Sequence, residues 1–244
     1  INILDINYKN KISQLSFLVK NEVGYQNLLH ISSLSQTSEN NSVGVYLKDF
    51  ENYSEGLFCF IGGEFNPLLL LHLNNKDEKI DNFIKLLIMI FKKNLLFELQ
   101  RIEDIEIQDF EKQFILLAEK FNVPLIGSNN IKFEKKDDFN AHDALLCIAQ
   151  KTTINSAERI TSNPNIYFKN SLEMNELFGD IPEIALNNFN VALSCNYFPT
   201  EIPTKLPKFK NNENLDEKNL LTKLSQEGLK IKLENNKNLS LNHY

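Results

Sequence analysis

Asn130 and Lys132 stand two residues apart, just past the apolar run Val123-Pro124-Leu125-Ile126-Gly127. Residues i and i+2 of a strand share a face. The pair is therefore expected to point the same way at the end of a buried strand, where the active-site groups of α/β barrels emerge. An acid or an imidazole at such a position binds a metal ion. An ammonium has no lone pair to offer a cation, and Asn supplies only a neutral carbonyl oxygen. Asn130 and Lys132 by themselves therefore make a poor site for a cation. Glu98, in Phe97-Glu98-Leu99, could face the same rim, but one carboxylate cannot hold a catalytic cluster.

Other residue types that do chemistry are scattered. His30 and His72 follow apolar stretches and read as surface or satisfied side chains, and His243 stands near the end of the sequence. His142-Asp143 is expected in the first turn of a helix, where Asp143 favours the positive helix end; adjacent helix residues do not face each other, which argues against a dyad. Gly62-Gly63 lacks the Lys-Ser/Thr pair and the helix register of a phosphate loop. No closely spaced aspartates of the kind that hold two magnesium ions occur. Cys59, Cys147 and Cys195 are far apart, odd in number and in apolar surroundings. They read as buried thiols in a reducing cytoplasm, not as a disulfide or zinc site.

Strand-like and helical patterns alternate to position these groups. Strands are expected at Leu15–Val19, Gly56–Ile61, Leu95–Leu99, Val123–Gly127 and Asn165–Phe168. Helices are expected from Gly24 to Ile31, from Lys79 to Lys92 with a stripe at 80, 83, 84, 87, 88 and 91, and from an Asp109 cap to Phe121 over Phe110, Phe114, Leu117 and Ala118. Further helices run from Asp138 to Ala149, from a Ser171 cap to Phe178, and from Pro182 to Cys195. Such alternation predicts a parallel α/β architecture with helices outside, without choosing between a barrel and an open sheet.

The 244 residues fit one large domain, or one domain with a piece of a second. Residues 201–244 hold eight Lys against six acidic groups, whereas residues 1–200 hold 18 basic against 26 acidic ones. An acidic surface repels phosphate, which makes the larger part a poor autonomous nucleic-acid binder. Pro199, Pro203 and Pro207 coincide with the composition shift and favour extended chain. A boundary is expected near residue 200, with 1–200 as one domain and 201–244 as a linker and short, mainly helical segment; the Asn-rich tracts Asn211-Asn212 and Asn235-Asn236 read as loops. No apolar run approaches the roughly 18 residues that span a bilayer, and no signal-peptide pattern opens the chain. The opening on Ile1 is read as the start of an excerpt.

Val123–Phe133 with Ala141-His-Asp-Ala-Leu-Leu-Cys-Ile148 resembles the PHP domain of the alpha subunit of bacterial DNA polymerase III. So do Lys20-Asn-Glu-Val-Gly-Tyr-Gln-Asn-Leu28, Phe97-Glu-Leu-Gln-Arg101, Ser171-Leu-Glu-Met-Asn-Glu-Leu-Phe178 and Pro182-Glu183. Leu206-Pro-Lys-Phe209 and Glu227-Gly-Leu229 resemble the family's passage into the polymerase core. The resemblance is colinear over nearly the whole chain. It implies an incomplete PHP-type (β/α) barrel, with 1–200 as the PHP domain lacking its first strands. Residues 201–244 would then be the linker and start of the polymerase core.

In that family the strand carries Asp and His where Asn130 and Lys132 stand, and a His follows where Ile102 stands; Gln14 marks a possible third loss. The resemblance therefore implies a non-catalytic platform with no metal site of its own, inside a cytoplasmic DNA-directed DNA polymerase. The parent would use magnesium for nucleotidyl transfer. Its partners would be the proofreading exonuclease subunit, other polymerase III holoenzyme subunits, and DNA through the polymerase core, with no membrane. The alternative reading is a free-standing PHP metal-dependent phosphoesterase.

Overall fold

Side-chain alternation along three strands sets the architecture. In chain order the computed structural model contains β1 (Asn2–Tyr8), β2 (Lys11–Gln14), β3 (Ser16–Val19), α1 (Glu22–Thr37), β4 (Leu57–Gly62), α2 (Pro67–Leu73), α3 (Ile80–Phe91), β5 (Leu95–Gln100), α4 (Ile105–Phe121), β6 (Leu125–Ser128), α5 (Phe139–Ala149), α6 (Ser171–Phe178), α7 (Glu183–Ser194) and α8 (Glu217–Asn235). The structure describes residues 1–9, 11–37, 43–102, 104–201, 203–204, 209 and 216–235. Glu103, Leu206-Pro207-Lys208, Asn211, Asn212, Asn236 and His243 lie outside them. The chain divides into a unit Ile1–Pro199 and a unit Thr200–Tyr244. In the second, Thr222 Oγ1 donates to the Lys218 carbonyl within α8.

β3, β4, β5 and β6 form one open sheet in that order, and β1 and β2 a separate antiparallel pair. The sheet is parallel from β4 to β6, as the alternation predicts, but β3 runs antiparallel to β4. Odd-numbered residues, among them Cys59, Ile61, Leu95, Phe97, Leu99 and Leu125, face the main core with α2, α3 and α4. Even-numbered Phe58, Phe60, Leu96 and Ile126 form a smaller cluster on the opposite face, against Val191 and Cys195. Burial on both faces explains why β4 reads as an unbroken apolar run.

Several expected boundaries shift for identifiable reasons. The fourth helix is capped by Asp104, whose Oδ1 accepts from Ile107 N at 3.0 Å, so it starts before Asp109. Asn170, not Ser171, caps α6: its Oδ1 accepts from Leu172 and Glu173 while Glu173 reaches back to Asn170 N. The expected strand Asn165–Phe168 is reduced to a lone bridge between Phe133 and Tyr167. The Leu68–Leu71 run belongs to helix α2, entered through Asn66 and Pro67. Cys59 and Cys147 are buried thiols as expected, whereas Cys195 is half-buried.

Gly127 lets α6 and α7 approach β6. A Cβ there would come within 2.8 Å of the Ile184 and Phe178 side chains. Gly127→Ala is expected to cost about 1–3 kcal/mol through overpacking, read as a lower urea midpoint at unchanged slope.

Candidate functional site

The carboxyl ends of β4, β5 and β6 carry the polar groups nearest to a site. Glu98 pairs in register with Gly62 on one side and Ile126 on the other, and Gln100 with Ser128. A Cβ at Gly62 would meet the Glu98 carbonyl at 2.2 Å, so glycine permits this close pairing. Alternation puts Glu98 and Ser128 on the face of Phe60 and Ile126, and the Ser128 hydroxyl donates to Glu98 Oε1 at 2.5 Å. Both residues line a cavity of about 400 Å³ with Phe17, Phe60, Ile126 and Val191. Its walls are mainly apolar, and Glu98 is the single acid among its lining residues.

The three altered positions do not converge there. Ile102 is buried just beyond β5. β6 ends at Ser128, so the strand geometry that would align Asn130 with Lys132 stops short of both. Asn130 is half-buried and Lys132 exposed, its N–H bonded to the Ile166 carbonyl at 2.9 Å. Asn129 is the buried member of the pair of asparagines, donating to the Tyr167 carbonyl at 2.6 Å. The cation beside it is Lys169, whose Nζ reaches Asn129 Oδ1 at 3.3 Å and the Asn165 carbonyl, and lies 4.4 Å from the Tyr167 ring centre. Burial pulls the Lys169 ammonium below its ordinary pKa. Gln14 closes β2 on the surface, bonded to Asn2 Oδ1 at 3.0 Å.

Two ionic clusters escape a linear reading. Arg101 donates to Asp180, to Glu111 and to the Leu177 carbonyl at 2.5–3.3 Å, joining β5 to α4 and α6. Hydrogen bonds to Asp180 first, and then to Glu111, raise the guanidinium pKa further. Asp143 is buried in the second turn of α5, not the first as expected, and takes both Arg159 Nη atoms at 2.8 Å. The Ser162 N–H adds a third bond at 2.9 Å, so Asp143 titrates below the ordinary aspartate range, chiefly through Arg159. His142 Nδ1 lies 2.6 Å from Ser162 Oγ, and thus pairs with the loop and not with its sequence neighbour. Of the other histidines, His30 stacks on Tyr53 at 4.1 Å and His72 meets Asp77 at 2.9 Å.

Metal binding needs several imidazoles and carboxylates converging on one point. Among the described residues no group of three or more His, Cys, Asp or Glu is placed to hold an ion. The donors at the strand ends, one carboxylate already engaged by a hydroxyl, do not fit such a cluster. Among the described residues no helix is long and apolar enough to cross a membrane.

Residues 3–102 match the PHP domain. The chain is 33% identical over 238 residues, 95% of its length, to the DNA polymerase III subunit alpha of Rickettsia bellii (strain RML369-C), of which it spans 20%. Against the subunit of Rickettsia prowazekii (strain Madrid E) the identity is 32% over 99% of the chain and 21% of the relative. Against that of Caulobacter vibrioides (strain NA1000 / CB15N) it is 31% over 90% and 19%. The chain thus spans about one fifth of the length of these curated relatives.

Proposed function

Since the chain carries a PHP domain and is homologous to DNA polymerase III alpha subunits, we propose that it is the PHP region of a replicative DNA polymerase, acting as a non-catalytic platform. The observation that carries this reading is the near end-to-end similarity to subunits of that name, 90% to 99% of the chain in the three relatives above. On this reading residues 1–200 are the platform, and residues 201–244 are the linker and first part of the polymerase core. DNA-templated nucleotidyl transfer with magnesium belongs to the remainder of the parent. The exonuclease subunit and other holoenzyme subunits are its protein partners, and the cytoplasm is its compartment.

The metal site of the platform is degenerate in this proposal. Ile102 offers no lone pair, Asn130 no charge, and Lys132 a charge of the wrong sign. Glu98 alone cannot offset these losses. The acidic composition of residues 1–200 supports protein contacts over DNA contacts.

The test uses the complete parent polymerase. Primer extension with magnesium is expected, together with substoichiometric zinc and manganese by elemental analysis and no phosphoesterase activity from the PHP region. Stoichiometric metal that disappears in a Glu98→Gln variant would overturn the degenerate-site reading. Failure of the intact parent to extend a primer would overturn the polymerase assignment instead.

A further inference from the structure

Residues 150–170, between α5 and α6, form neither helix nor strand apart from a single bridge at Tyr167. Connections this long without secondary structure are uncommon in compact domains and are usually functional or disordered. This one is fastened by hydrogen bonds at two separate places.

The first fastening is to α5. Asp143, which is buried, takes both Arg159 Nη atoms at 2.8 Å and the Ser162 N–H at 2.9 Å. Gln150 exchanges two bonds with one residue: its Nε2 donates to the Ile160 carbonyl at 3.1 Å, and its Oε1 accepts from Ile160 N–H at 2.8 Å. Arg159 Nε also donates to the Ile154 carbonyl at 2.9 Å, so the guanidinium ties the segment to itself as well as to the helix.

The second fastening is to the rim beyond β6. Lys132 N–H donates to the Ile166 carbonyl at 2.9 Å, and Phe168 N–H to the carbonyls of Phe133 and Glu134 at 3.1 and 3.2 Å. Asn129 Nδ2 donates to the Tyr167 carbonyl at 2.6 Å, while Lys169 Nζ donates to Asn129 Oδ1 at 3.3 Å. Asn129 and Ile166 are both buried at this junction. Only Asn163 and Pro164 separate Ser162 from Asn165, and Asn163 Oδ1 accepts from Asn165 N–H at 2.8 Å. Proline fixes its own φ, so the link is short and stiff. A displacement at one fastening is therefore carried to the other.

We propose that residues 159–169 are a strap clamped at both ends, in which Arg159 is a positioning residue for the rim that carries Asn130 and Lys132. The strap opens and closes as one cooperative unit, so freeing Arg159 from α5 loosens the backbone at Lys132. The inference rests on the hydrogen bonds of this segment and is independent of the polymerase assignment.

The experiment follows amide hydrogen exchange in the full chain and in its Arg159→Ala and Lys169→Met variants. Ile160 N–H reports the helix fastening, Lys132 and Phe168 N–H the rim, and Phe97 N–H, bonded to the Pro124 carbonyl, the sheet. In Arg159→Ala, the Ile160, Lys132 and Phe168 amides are expected to exchange roughly tenfold faster, with Phe97 unchanged. Coupling is reciprocal. Lys169→Met, which cuts a bond at the rim alone, is therefore expected to speed Ile160 as well. Unchanged exchange at Lys132 and Phe168 in Arg159→Ala would overturn the proposal, since the two fastenings would then be independent. If Arg159→Ala also speeds Phe97, the whole unit has loosened, and Lys169→Met decides: wild-type exchange at Ile160 there would overturn the proposal too.

Discussion

Phe97→Ala is expected to lower the unfolding free energy by about 4 kcal/mol, a large share of the roughly 5–15 kcal/mol that holds a typical domain together. Phe97 is fully buried at the centre of β5, flanked in register by Ile61 and Leu125. Its ring stacks on Phe114 of α4 at 4.7 Å, and Phe114 in turn meets Phe110 at 6.1 Å. Removing the ring opens a void between the sheet and α4 that neither side can close, since the strand is pinned by neighbours on both edges. Phe97→Leu retains most of the volume and is expected to cost only about 1 kcal/mol. Urea unfolding of the two variants checks this. Equal midpoints for Ala and Leu would show that the ring is not the keystone of this packing.

The same local logic explains which parts of the fold were legible. β4 and β5 could be read because burial on both faces produces dense apolar runs closed by polar residues. The helix Ile80–Phe91 could be read from its stripe, although Ile90 is buried where the stripe favoured Ile88. The extra first turn of α4 was hidden because Ile105, its opening residue, is 76% exposed and gives no core-facing signal. Asp104, an Asp just ahead of an apolar residue, was the available cue. The Asn165–Phe168 run has β-forming residues but follows Pro164, and Phe168 N–H turns to the carbonyls of Phe133 and Glu134 instead of a ladder.

The site was less legible than the fold. Alternation holds for Glu98 and Ser128, which share a face, but extending it past Ser128 to Asn130 and Lys132 required a longer strand than the chain forms. Nor does any periodicity link Asp143 to Arg159, or Arg101 to Asp180. These pairs are 16 and 79 residues apart and meet only through tertiary folding. A charged residue inside an apolar helix, as Asp143 is, signals that a partner exists without naming it.

Acid is expected to erase the contribution of the Asp143–Arg159 pair, and Arg159→Ala should reveal this as a melting-temperature deficit that shrinks as pH falls. Asp143 titrates below the ordinary aspartate value of 3.8 in the folded chain, first because of Arg159 and then because of Ser162 N–H. A depressed folded pKa means the native state holds the proton less tightly than the unfolded state. Its stabilising effect is therefore complete above the unfolded value and is lost as pH falls through the folded one. Asp180, beside Arg101, and Glu173, beside Tyr167 and Asn170 N–H, are depressed in the same direction. The wild-type chain should accordingly hold a nearly constant melting temperature from about pH 7 to about pH 5 and decline steeply below about pH 4. In Arg159→Ala the neutral-pH value drops, because a buried carboxylate is left with a backbone donor in place of two guanidinium bonds. Its acid limb flattens, since the folded and unfolded pKa values draw together. Asp143→Asn should flatten the limb as well, while keeping the shape of the side chain. A parallel downward offset of the Arg159→Ala curve at every pH would mean that the guanidinium acts through packing alone, and would refute the charge-linked account.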